Sequence, residues 1–131
     1  MSEQDLKVVQ ALWDAWDRRD TPATFALYDE DVAWDMSRSQ VPGMGVYHGH
    51  AGVRQFFEEW LETFEEYYAR PEDFIDAGDH VVVQVRQGGR GTGSGVEVEM
   101  PVYWHAFWVR DGKVVRVVIH RDRDEAMAQR S

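Results

Sequence analysis

Apolar residues return at helical spacing through the first part of the chain. Leu6, Val9, Trp13 and Trp16 form a stripe widened by Val8, Leu12 and Ala15, with Lys7, Gln10, Asp14, Asp17 and Arg18 opposite. One face of this first helix is therefore buried. Asp20-Thr21-Pro22 stops and restarts the chain, because Thr is a good N-cap and the fixed φ of Pro suits a first helical position. A short second helix is predicted to run to about Tyr28, where Asp29-Glu30-Asp31 ends it. Val32-Ala33-Trp34-Asp35-Met36 alternates apolar with small or polar residues and predicts a short strand, and residues 37–45, with one Pro and two Gly, predict a loop. The strongest periodic signal follows: Val53, Phe56, Phe57, Trp60, Leu61 and Phe64 share a helical face, with Glu58, Glu59, Glu62, Glu65 and Glu66 on or near the solvated side.

After Pro71 the period changes from 3.6 to 2. Val81, Val83 and Val85 alternate with Val82, Gln84 and Arg86. Val96, Val98, Met100, Val102 and Trp104 alternate with Glu97, Glu99, Tyr103 and His105, and Val115, Val117 and Ile119 with Arg116, Val118 and His120. These segments predict long antiparallel strands. The glycine-rich residues 88–95 join two of them, Asp111-Gly112 is a two-residue hairpin turn of type I′, and residues 123–130 have room for a short terminal helix. Helices come first and a curved sheet afterwards, with no internal repeat and no linker. The layout predicts one α+β domain over residues 1–131, with three helices of the N-terminal half packed into the sheet.

Composition narrows the function classes. A chain of 131 residues with 44% hydrophobic residues can hide roughly two-thirds of its extended surface and needs no disulfide or structural metal. With no cysteine, thiol catalysis, iron–sulfur chemistry and a disulfide scaffold are excluded. The polar start Met1-Ser2-Glu3-Gln4-Asp5 and the lack of any apolar run near the ~20 residues of a membrane span predict a cytoplasmic protein with no membrane partner. Fourteen Lys and Arg against twenty-four Asp and Glu leave a net charge of −10, which repels a phosphate backbone and argues against nucleic acid as a partner. Six Trp, six Phe and five Tyr are more aromatic surface than a core of this size obviously needs.

Four segments, in order and spacing, carry a family resemblance: Val8-Val9-Gln10-Ala11-Leu12-Trp13 with Asp20 closing the helix; Phe25-Ala26-Leu27-Tyr28-Asp29-Glu30-Asp31-Val32-Ala33-Trp34; Tyr47-His48-Gly49-His50-Ala51-Gly52-Val53-Arg54-Gln55-Phe56-Phe57; and Asp111-Gly112-Lys113-Val114-Val115-Arg116 running on to Asp122. The chain resembles the SnoaL-like, polyketide cyclase-like branch of the nuclear transport factor 2-like superfamily. That resemblance implies a bent antiparallel sheet wrapped around a long helix, a cone with an internal pocket. Activity is less constrained, since the superfamily includes isomerases, cyclases, epoxide hydrolases, dehydratases and proteins with no known reaction. Where the superfamily's steroid isomerases carry a tyrosine and a protonated acid, this chain has Leu12 and, at about the second position, Trp104, so that mechanism does not carry over. The isomerase base position falls at or beside Asp35, and one step along the strand decides whether Asp35 or Met36 faces the pocket. The inward acidic position of the last strand in the cyclases and hydrolases falls at Ile119, with Arg121 two residues on, where it would supply a cation at the rim.

Asp35 in a partly apolar pocket would have a raised pKa and would serve as a general base; the competing expectation is a solvated Asp ending an edge strand. His50 is a second acid/base candidate near the mouth, while His48 and His50 have no evident third ligand, so no metal is expected. Residues 88–95 lack the spacing and the following helix of a phosphate cradle. The expected ligand contacts are Trp13, Trp34, Tyr47, Trp60, Met100, Trp104 and Arg121. With Val98, Met100, Val102, Trp104 and Ala106 facing in, Tyr103, His105 and Phe107, together with His120, line the outer sheet face and are expected to pair two subunits as a homodimer, unless a bulge reverses the faces. The leading expectation is a SnoaL-like protein that binds a small hydrophobic molecule, aromatic or polycyclic, and acts on it by acid/base chemistry without a cofactor, as an isomerase, cyclase or hydrolase. The alternative is a non-catalytic ligand-binding or dimeric accessory module of the same fold.

Overall fold

The first helix, α1 (Glu3–Asp17), buries Val9, Leu12, Trp13 and Ala15 along its apolar stripe; the structure is a computed structural model that describes residues 3–130. It closes with a reciprocal pair of backbone bonds, Asp20 N–H to the Ala15 carbonyl and Arg19 N–H to the Trp16 carbonyl, each 3.0 Å. This is the Schellman arrangement, and Arg19 occupies its left-handed position at φ 57. Helix α2 (Thr21–Ala26) follows with Pro in its first turn. Its N-cap is Asp20 rather than Thr21, and the Asp20 carboxylate accepts from the Ala23 N–H at 3.1 Å.

The acidic triplet expected to end that helix instead opens a strand, β1 (Tyr28–Asp35). A register shift lies between Tyr28 and Ala33, so the charged residues sit on an irregular stretch that regular alternation does not describe. After β2 (Val46–His48) comes the long helix α3 (Gly49–Glu62), with Val53 and Phe56 buried. It stops two residues before Phe64, which begins a strand that the periodicity missed, β3 (Phe64–Asp76). Pro71 and five acidic residues disguise β3. It pairs only with β4, at the margin of the sheet, where a missing N–H is tolerated.

Strand β4 (Val81–Gly91) carries straight through half of the glycine-rich stretch expected to be a loose loop. The glycines are there for close approach: a Cβ on Gly88 would lie 2.8 Å from the Tyr68 hydroxyl and from the Val98 carbonyl. Strand β5 (Glu97–Glu99) runs beside β4, and then Pro101 interrupts what read as one continuous strand before β6 (Tyr103–Arg110) starts. The hairpin into β7 (Lys113–His120) turns on Asp111 and Gly112 at φ 52 and 76, both left-handed as a type I′ turn requires. A fourth helix, α4 (Arg123–Ala128), is capped by the Asp122 carboxylate.

The sheet order is β2-β1-β7-β6-β4-β3, with β5 added alongside β4. Every pairing is antiparallel except β1 with β7, which is parallel, so the sheet is not wholly antiparallel as the sequence pattern suggested. Its inner face packs on α1, α2 and α3 and holds the main core, including the fully buried Val9, Val53, Val81, Val83 and Val85. Its outer face carries a smaller cluster of Val82, Ala106, Trp108 and Val118 closed by Ala126 of α4.

The break at Pro101 coincides with reversed faces on β6. Tyr103, His105 and Phe107 pair with Val85, Val83 and Val81, the inward residues of β4, and so face in; Trp104 and Ala106 face out. This corrects the expectation that Tyr103, His105 and Phe107 lie on the outer surface. The physical reason is α4: by covering the outer face it lets both sides of β6 be apolar, which removes the contrast that alternation relies on.

Candidate functional site

Between the helices and the inner sheet face lies a cavity of about 70 Å³. Helix α1 contributes Leu12, Trp13 and Trp16, and α3 contributes Phe56, Phe57 and Trp60. Tyr28, Trp34 and Met36 come from β1 and its end, Tyr103, His105 and Phe107 from β6. Tyr67 and Ala69 of β3, Gln87 of β4, Ile119 of β7 and Thr24 of α2 complete the wall. The spacing of each element explains the convergence: residues three, four and seven apart share a helix face, and every second residue shares a strand face. The rings interlock, with Trp34 5.1 Å from Phe57 in an edge contact and 5.3 Å from Phe56.

One imidazole sits inside this aromatic cage. The ring of His105 lies 5.7 Å from Trp13 and 6.2 Å from both Trp34 and Phe107, centre to centre. Burial holds its pKa down at about 3, so it is neutral at physiological pH. Among the described residues neither ring nitrogen has a hydrogen-bond partner, and the buried indole nitrogens of Trp13 and Trp34 have none either. The hydroxyl of Tyr67 does have a partner, donating to the Gln87 side-chain carbonyl, and burial pushes its pKa up to about 12. Burial likewise raises the phenols of Tyr28 and Tyr103. Among the described residues no Asp, Glu, Lys or Arg lines the cavity. Every polar group it offers is thus uncharged near neutral pH, and what the walls supply is flat apolar surface with a few neutral donors and acceptors.

Residues 9–117 match the SnoaL-like domain family. The chain belongs to the SnoaL-like family. No functionally curated protein matches it. Among solved structures it is similar to a nuclear transport factor 2-like protein of unknown function from Burkholderia pseudomallei K96243, at 26% identity, with 95% of each chain covered and a TM-score of 0.77. It is also similar to TerC co-crystallized with polyporic acid, at 22% identity over 97% of this chain and 100% of that one, TM-score 0.76. A third is a candidate polyketide cyclase from Sinorhizobium meliloti, at 22% identity over 87% of this chain and 94% of that one, TM-score 0.68. The last two likenesses speak for the fold alone.

In this SnoaL-like domain Trp13, Trp34 and Trp60 line the cavity. Asp35 does not. Its carboxylate accepts from the Ser37 N–H at 2.8 Å and the Ser37 hydroxyl at 2.6 Å in a tight local turn, and Met36 takes the inward place. The single-residue ambiguity at the end of β1 is resolved against Asp35 as a cavity base. His50 is also off the wall: its Nε2 lies 2.9 Å from the Tyr28 carbonyl and its ring meets Phe25 edge-on, so it ties the first turn of α3 to β1. Tyr47 stands behind the wall, 5.1 Å from Phe56, and Met100 is half-buried against the core without reaching the cavity.

Trp104 is on the opposite side of the sheet from its expected place, packed against the outer cluster. The guanidinium of Arg121 reaches the Tyr103 ring, 5.3 Å from its centre, and does not line the cavity. His120 is buried within the same chain, 3.9 Å from the Glu125 carboxylate of α4. The residues named for a subunit interface, Tyr103, His105, Phe107 and His120, are therefore all buried within one chain. Among the described residues no three His, Asp or Glu side chains converge as a metal site needs. No helix among the described residues is long and apolar enough to cross a membrane.

Sequence reasoning missed Tyr67 and Gln87 because β3 went unrecognised and the glycine run was read as loop. The inward side of His105 had no local signal, because both faces of β6 are apolar; it is decided by the pairing of Tyr103, His105 and Phe107 with the inward Val85, Val83 and Val81 of β4.

Proposed function

We propose that this SnoaL-like domain binds one small, flat, largely apolar molecule in the aromatic cavity and holds a carbonyl or hydroxyl oxygen of that molecule against His105. The observation that carries the reading is His105 itself: a buried imidazole with neither nitrogen partnered, between two indoles whose N–H groups are also unpartnered, at the wall of a cavity. Buried polar groups without partners are costly, and a ligand oxygen in reach would relieve that cost. A volume of 70 Å³ corresponds to about five ordered waters, which suits a single ring. A polycyclic ligand requires the indole walls to open.

Ligand binding is favoured over carboxylate-driven catalysis because no Asp or Glu among the described residues lines the cavity. An imidazole with a pKa of about 3 is a weak base but offers one N–H and one lone pair, the arrangement that orients an oxygen and polarises it. TerC, of the same fold, was co-crystallized with polyporic acid, which supports the fold as a host for a small organic molecule.

The test is a pair of near-isosteres, acetophenone and ethylbenzene, titrated against tryptophan fluorescence in the wild type and His105→Phe. Saturable quenching by both is expected in the wild type. In the variant the ketone should weaken about tenfold, or roughly 1.4 kcal/mol, and the hydrocarbon should be unchanged. Failure of both to bind the wild type, or equal losses for both in the variant, would overturn the proposal.

A further inference from the structure

The cavity opens beside a surface groove, and the two share Trp16, Thr24, Phe57 and Tyr67. Two guanidinium groups border that groove. Arg19 lies over the Trp16 ring, 4.8 Å from its centre, and donates to the Tyr67 carbonyl at 3.2 Å. Arg54 lies over the Phe25 ring at 4.3 Å. Stacking on aromatic faces holds both cations at the rim while leaving N–H groups free to bind an anion. Among the described residues neither forms an ion pair.

Two glutamates also border the groove. Glu66 is matched by Arg90 at 3.6 Å, and Glu58, one turn after Arg54 on α3, does not hold the guanidinium, which lies on Phe25 instead. A second, independent observation concerns Arg19. It fills the left-handed position of the Schellman motif at φ 57, a place where glycine is the residue of least strain. A side chain kept there at a conformational cost, aimed along the groove onto Trp16, is more than a helix terminator needs.

The geometry points to an anionic headgroup site: the ligand is an apolar ring bearing a carboxylate, the ring in the cavity and the carboxylate between Arg19 and Arg54. This rests on the binding reading above and adds the charge class of the ligand and the residues that select it. Exposed guanidiniums in a chain of net charge −10 attract such an anion only locally, so the selectivity is sensitive to salt.

The experiment compares 3-phenylpropanoate with its neutral isostere 3-phenylpropanamide, by fluorescence titration at low and high salt. The proteins are the wild type, Arg19→Met, Arg54→Met and the double variant, each checked for folding by circular dichroism. The carboxylate should bind the wild type about tenfold tighter than the amide, with the advantage shrinking at high salt. Each single variant should reduce that advantage, the double variant should abolish it, and amide affinity should stay within twofold throughout. Equal wild-type affinity for the two compounds, or an advantage that survives in the double variant, overturns this inference and leaves the cavity reading standing. If neither compound binds the wild type, the cavity reading falls and this inference falls with it.

Discussion

The indole of Trp13 and the imidazole of His105 lie 5.7 Å apart, tilted by 43°, so a residue from the first helix and one from the sixth strand form adjoining walls of one cavity. Their contact places a titratable ring where water does not compensate its charge, and the depressed pKa follows directly from that burial.

This has a consequence for stability against pH. The unfolded chain binds a proton on His105 near 6.5, whereas the folded protein resists it down to about 3. Below pH 6.5 the unfolded state therefore binds more protons, and stability falls as pH falls, by up to about 1.4 kcal/mol per pH unit from this group. His120, whose pKa burial also lowers, acts in the same direction. Urea unfolding between pH 7.5 and 4 should show a shallower fall in His105→Phe than in the wild type. Parallel curves would show that His105 is solvated.

The side of the strand taken by Asp35 and Met36 is checked by contrast. Met36 is 4% exposed and on the cavity wall, so Met36→Ala should cost about 2–5 kcal/mol and weaken ring ligands. Asp35→Asn should change stability by no more than about 1 kcal/mol and leave ligand affinity within twofold, because the carboxylate only closes a turn onto Ser37. A large loss of affinity in Asp35→Asn would contradict the placement.

Gly88 is a packing requirement of the β3-β4-β5 contact. An added methyl meets the Tyr68 hydroxyl and, at the same distance, the Val98 backbone carbonyl, which cannot swing away. Gly88→Ala should destabilise by about 1–3 kcal/mol, whereas Gly45→Ala, with nothing within 4 Å and no left-handed φ, should be near neutral. Equal melting temperatures for the two variants would refute the close approach.

Arg19 predicts a trade between stability and binding. Arg19→Gly relieves the left-handed backbone at the end of α1 and should raise stability by about 0.5–1 kcal/mol, since the exposed contacts it gives up are weak. The same change should reduce the preference for carboxylate ligands. Thermal melts and the titrations above read the two effects separately, and a loss of stability would mean that the contacts with Trp16 and Tyr67 outweigh the strain.

The chain's own pattern determined the elements whose apolar stripe faces a single side. Helices α1 and α3 each have one buried and one wet face, and Asp111-Gly112 can adopt the two left-handed conformations its turn needs. From these followed the α+β class, the family resemblance and three of the tryptophans on the cavity wall. What sequence periodicity did not determine were positions whose surroundings come from remote parts of the chain. Strand β3 is held by its pairing with β4 despite Pro71, and β6 shows two apolar faces because helices cover one side and α4 the other. Whether His105 or Trp104 looks into the cavity is a one-residue choice of register, set by pairing with Val83 and Gln84 across the sheet and invisible to a local pattern that both choices satisfy equally.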